Sequence, residues 1–193
     1  QDLPRPTKDI VQLRKDMLRW GYCKVEEALS EEQVRIVRHR VLEQAEGERL
    51  AGIAQKTPSG QNINCCVNKG RCFELLIEQH PSQVQGGPLI EQLVTEALGP
   101  GWISTSLIGA ISLKGGVPQA LHQDQGNDPD SRSPMSVNVL TAISDIDEKN
   151  GGTLVIPGSH ITLSDAVRDR RPVGKLPPAI NVDAEAGTMV ITD

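Results

Sequence analysis

Near Trp102 the apolar residues of this chain change their period, and few folds accommodate such a change. Before it they recur at helical spacing. Ile10, Leu13, Met17 and Trp20 share one face, and Val34, Val37, Val41 and Leu42 share another. Thr7 is placed to cap the first helix and Gly21 to stop it. Ser30 with Gln33 makes a capping box for the second, which is expected to end near Gly47. A short strand is expected at residues 22–25, a loop at 50–61, a strand at 64–67 and a turn at 68–70. A short helix through Phe73, Leu76 and Ile77 should stop at His80-Pro81, because the residue before proline disfavours helix. A last helix at 89–98 is closed by Gly99-Pro100-Gly101.

After Trp102 short aliphatic runs alternate with Gly and Pro. Strands are expected at 102–113, through 122–124, and at 136–143, 153–156, 180–182 and 188–192. Gly115-Gly116-Val117-Pro118 separates the first two, 147–152 is a turn, and 126–134 and 162–178 read as polar loops. Helices first and strands second predict one α+β domain over 1–193, with a mainly helical part at 1–100 and a β-sandwich or jelly roll at 101–193. The chain is long enough for one sizeable core. With one Phe, one Tyr and two Trp, that core must be mainly aliphatic.

Charge narrows the partners. The net charge is −5, with acids and bases mixed, so no basic stripe suits nucleic acid and no polybasic run suits a membrane surface. Apolar runs fall far short of a bilayer span. Gln1 in place of Met points to a trimmed start, and the charged opening residues do not read as a signal peptide. Cys23, Cys65, Cys66 and Cys72 include no zinc-type pair, and adjacent cysteines rarely bridge each other, so a reducing, cytoplasmic setting is expected.

The residues with chemistry are His122 and Asp124. Two apart on a strand, they would point to one face and offer an imidazole nitrogen and a carboxylate oxygen to a single metal. With one more histidine they would make the facial triad of a non-haem Fe(II) oxygenase. A His-x-Asp pair alone is more often plain surface strand. This one follows a Gly-Gly-x-Pro break and precedes a polar loop, a setting that suits the mouth of a small barrel.

Several segments recur together in one known family. They are Asn68-Lys69-Gly70 with Phe73, Leu76 and His80-Pro81; Leu98-Gly99-Pro100; the run from Pro118 to Gly126 around His122; Asn150-Gly151-Gly152-Thr153 through Pro157-Gly158-Ser159-His160; and Ala186-Gly187-Thr188. In this order, over roughly residues 60–193, the chain resembles the phytanoyl-CoA dioxygenase family of Fe(II)- and 2-oxoglutarate-dependent oxygenases, nearest its fungal and bacterial natural-product branch.

The resemblance implies a double-stranded β-helix core, cupin-like, with helices packed outside. It implies His122 and Asp124 as iron ligands, Gln119 and Thr153 on the 2-oxoglutarate side, and Asn64 near substrate. It also implies that His160, the one histidine after Asp124, is not the third ligand. In the family that histidine follows the Ala-Gly-Thr strand, so here it is expected just beyond Asp193, with an arginine for the 2-oxoglutarate carboxylate further on, and the C-terminal strands are expected to be incomplete. The activity implied is oxidation of a C–H bond in a mid-sized apolar small molecule, such as a terpenoid or alkaloid, with O2 and 2-oxoglutarate consumed. Relatives are often dimers, so a homodimer or a heterodimer with a homologue is expected. Two other readings stay open: a non-catalytic homologue serving as partner to an active subunit, and a cupin-like binding protein or isomerase, which the lack of a clustered His-x-His disfavours.

Overall fold

The computed structural model describes residues 2–78, 84–124, 136–168 and 174–193, the last residues of the third stretch by backbone alone. The architecture is mixed α/β with antiparallel sheets. Helix α1 (Ile10–Trp20) is capped by Asp9, whose carboxylate accepts from the Val11 N–H at 2.9 Å. Thr7 was expected in that role. Its backbone instead pairs with β1 (Tyr22–Val25), and its hydroxyl accepts from the Asp9 N–H, one step before the helix begins. Gly21 takes the left-handed conformation at φ 76° and donates to Met17 O, which ends α1 as its position predicts. Helix α2 (Glu31–Leu50) opens on the expected Ser30–Gln33 capping box. It runs past Gly47, because Arg49 pairs with Glu46 and Glu48 is held by Gln44 and Lys69 across the last turns.

The stretch expected as a loop holds a hairpin, β2 (Gln55–Thr57) and β3 (Gly60–Ile63). The strand expected at 64–67 is absent. Cys65 turns left-handed at φ 52°, and the chain enters a 3-10 turn at Cys66–Lys69 before α3 (Arg71–Glu78). His80-Pro81 and the loop at 126–134 lie outside the described residues. After α4 (Gly87–Leu98), strand β4 is confined to Gly109–Ser112 and pairs with β3. No strand forms at 122–124, so strand alternation is not what puts His122 and Asp124 side by side. Next come β5 (Asn138–Thr141), β6 (Thr153–Val155), α5 (Ser159–Arg168), β7 (Ile180–Val182) and β8 (Met189–Thr192). Helix α5 occupies the start of the expected polar loop at 162–178; its apolar residues are too few for helical periodicity to stand out.

Sheet order explains the core. Strand β8 lies between β1 and β5, with Thr192 opposite both Tyr22 and Asn138. One face of this sheet sends Cys23, Val25, Met189 and Ile191 against Leu13 of α1 and Ile90, Leu93 and Val94 of α4. The other face, with Tyr22 and Val190, meets Val182 and Ala184 from the β6–β7 side. A third cluster joins Val37, Val41 and Ala45 of α2 to Ile63, Cys66 and Phe73, which seats the β2-β3-β4 sheet. Phe73 is the one aromatic among the largest fully buried side chains, as an aliphatic core requires. Among the described residues no helix is long and apolar enough to cross a membrane.

Candidate metal centre

The chain reaches His122 from β4 through a turn stapled to the β2–β3 hairpin. Leu113 N–H donates to Ser59 O, Gly116 N–H to Leu113 O and Val117 N–H to Pro58 O, each at 2.9 Å. Beyond Val117 the backbone runs exposed to Asp124 with no ladder partner among the described residues, where side-chain contacts hold it. His122 Nδ1 lies 2.7 Å from Ala120 O. A carbonyl only accepts, so Nδ1 carries the proton and Nε2 is the nitrogen turned to other use. Nε2 stands 3.0 Å from Asp124 Oδ1. The remaining carboxylate oxygen, Oδ2, accepts from Asn138 Nδ2 at 2.6 Å.

This is a fitted pair of donors. Two cis ligands of one cation, each at about 2.1 Å, lie about 3 Å apart. The observed edge has that length, and each ligand atom is oriented by a hydrogen bond at its far side, as metal-bound histidines and carboxylates are. The same contact serves an imidazolium–carboxylate pair. The Ala120 carbonyl first, and the Asp124 charge after it, raise the His122 pKa against the opposing effect of desolvation. A cation would replace the Nε2 proton between the two groups. Both side chains are about half exposed, at 48% and 58%, which leaves open coordination positions.

Gln119, expected beside the pair, is there: its amide nitrogen is 3.4 Å from His122 Nε2. Thr153 lies on β6 opposite Val182, and Asn64 follows β3 with its amide donating to Gln55 Oε1 at 2.5 Å. Among the described residues neither is hydrogen-bonded to His122 or Asp124. His160 packs over the end of α1. Nε2 lies 3.3 Å from Leu18 O, and a Cβ added at Gly21 would stand 2.6 Å from Nδ1. Among the described residues that Nδ1 is buried without a hydrogen-bond partner, and burial pushes the His160 pKa down against the opposing Asp193 charge and Leu18 carbonyl, as suits a packing group. No group of three or more His, Cys, Asp or Glu side chains suited to one metal ion occurs among the described residues.

Asn138 is the site residue that sequence reasoning missed. Its signal was present: asparagine is depleted in strands, yet it stands in the aliphatic run that becomes β5.

The family described as phytanoyl-CoA dioxygenase (PhyH) matches residues 17–193. The chain belongs to the PhyH family. Solved structures similar to this PhyH chain include the non-haem alpha ketoglutarate-dependent carbocyclase SnoK from nogalamycin biosynthesis. It has 19% identity and a TM-score of 0.67, over 98% of this chain and 76% of that one. They also include the alpha ketoglutarate-dependent epimerase SnoN from the same biosynthesis, with 19% identity and a TM-score of 0.60, over 95% and 72% of the two chains. A SnoN complex with Fe3+, alpha ketoglutarate and nogalamycin RO matches at 17% identity and a TM-score of 0.61, over 95% and 73%. These likenesses show a shared fold. No curated protein matches the chain.

Proposed function

We propose that this PhyH-family chain, as a single domain over 1–193, carries the iron- and 2-oxoglutarate-binding part of an oxygenase. The oxygenase would oxidise a C–H bond of a mid-sized apolar small molecule, by hydroxylation, desaturation or a related step. The observation that carries the reading is the 3.0 Å edge between His122 Nε2 and Asp124 Oδ1, each braced from behind. Family membership and the alpha ketoglutarate-dependent enzymes that share the fold support it. They also favour a natural product, such as a terpenoid or alkaloid, as substrate. A double-stranded β-helix uniting the sheets, a cytoplasmic location and a homodimer or heterodimer complete the proposal.

When bound, Fe(II) with 2-oxoglutarate would turn the oxidising power of O2 on a C–H bond, with 2-oxoglutarate giving up two of the electrons in its decarboxylation to succinate. The chain's own residues determine how that power is aimed. Ala120 O fixes the His122 tautomer, so the imidazole meets the cation as a neutral ligand. Asn138 holds Asp124 to one oxygen and prevents rotation of the carboxylate away from the edge. Gln119 is next to the same edge, where its amide can donate to a carboxylate of the cosubstrate. Thr192 lies opposite Asn138, so the end of β8 runs beside the residue that braces Asp124. His160, held against Gly21 and Leu18, is not proposed as a ligand.

The test is turnover. Full-length protein with Fe(II) should consume 2-oxoglutarate, and His122→Ala should abolish the consumption. Equal conversion by wild type and variant would rule out the assignment, and no conversion by a folded wild type would favour the non-catalytic partner.

A further inference from the structure

A cleft of about 320 Å³ opens between the β2–β3 turn and the turn that leaves β4, with Arg49, Lys56, Thr57, Ser59, Lys114 and Gly116 in its lining. No carboxylate is among its described lining residues, although the chain as a whole is acidic. Its three cations are held differently. Arg49 is fixed, with Nη2 2.5 Å and Nε 2.9 Å from Glu46 Oε2 and Nη1 2.8 Å from Gln61 Oε1. Lys56 and Lys114 form no ion pair with any described residue. Two like charges gathered at one cleft without a counter-ion repel, and an anion between them removes that repulsion.

The walls are built by close backbone approach. A Cβ at Gly60 would stand 1.9 Å from Ile111 O, and one at Gly116 would stand 2.4 Å from Ser59 O. Glycine at both positions therefore permits the turn-to-turn hydrogen bonds that bring Lys114 to the hairpin. The hydroxyls of Thr57 and Ser59, 3.1 Å apart, add polar groups to the lining.

We propose that this cleft binds an anionic group, a phosphate or a carboxylate, between Lys56 and Lys114 with Arg49 behind them. Gly116 precedes Gln119 by three residues and His122 by six. Even a fully extended chain keeps those Cα atoms within about 11 Å and about 22 Å of it. On the oxygenase reading, on which this step alone rests, the anion is the charged end of a substrate whose apolar part reaches the His122–Asp124 edge.

Inorganic phosphate titrated into the metal-free protein should shift the Gly115 and Gly116 amide resonances saturably. Acetate titrated in parallel distinguishes a phosphate ester from a carboxylate as the preferred group. The double variant Lys56→Glu/Lys114→Glu should weaken binding by about tenfold or more, while Lys175→Glu, an exposed lysine outside the lining, should leave it unchanged. All the substituted lysines are exposed, and circular dichroism checks that each variant folds. No saturable shift with either anion, or binding that the double variant retains, overturns the proposal. His122→Ala should keep phosphate binding and the lysine variant should keep iron binding, so failure of this site and failure of the oxygenase reading are read separately.

Discussion

Asn138 holds one oxygen of Asp124 from a strand that is itself fixed in the central sheet. Asn138→Ala leaves both proposed ligands in place and removes only the brace. It should weaken metal affinity by about 10–100-fold, the usual cost of losing a supporting hydrogen bond behind a ligand, as calorimetric titration would measure. Gly21 offers a test of packing at the same scale. Alanine there meets an unfavourable φ of 76° and the His160 ring at 2.6 Å. Gly21→Ala should cost about 1–3 kcal/mol in urea denaturation, and less in a His160→Ala background, because the clash disappears and the backbone strain stays.

Glu48 gives the pH test. The Lys69 ammonium, with Gln44 and Gln61 after it, holds the largely buried Glu48 carboxyl below its ordinary range, against desolvation. A carboxyl depressed in the folded state adds stability above its unfolded pKa, and that contribution is lost as pH falls through the lower folded value. Lys69→Met should therefore destabilise the protein at neutral pH, with the difference from wild type shrinking below about pH 4. Urea midpoints measured across that range would show it.

At the scale of elements, the legible parts of the chain were those with local signals. The Ser30–Gln33 box, Gly21 as a stop, the turn-bounded segment of β1 and the apolar residues of β7 and β8 each carry their own instruction. The β2–β3 hairpin was not legible, because Gln55, Lys56, Gln61 and Asn62 present no alternating apolar face. Gln61 is buried only through its bonds to Arg49 and the Ala45 carbonyl, which are tertiary facts. Helix α5 was hidden by its polar composition, and the expected strand at 122–124 has no ladder partner among the described residues. His122 and Asp124 were nonetheless brought together, by Ala120 and Asn138 in place of strand alternation. Gly60 tests the hairpin's role as a platform. Gly60→Ala drives a Cβ into Ile111 O at 1.9 Å. It should cost about 3 kcal/mol and raise hydrogen exchange in β3 and β4 ahead of β1 and β8.

Over the whole molecule, the helices and the β1-β8-β5 sheet form a packed frame, and the segment from Val117 to Asp124 lies exposed against it. Binding of a cation to that segment is then also a stabilising event. At a metal concentration 100 times Kd it should add about 2.7 kcal/mol, with new amide protection concentrated between Gln119 and Asp124. The central claim is that His122 and Asp124 together hold a metal ion, and Co(II) titration followed by its d–d absorption reads this without turnover. Wild-type full-length protein should develop a saturable band at one equivalent, and His122→Ala and Asp124→Ala should each lose it. The same band in either folded variant would contradict the claim.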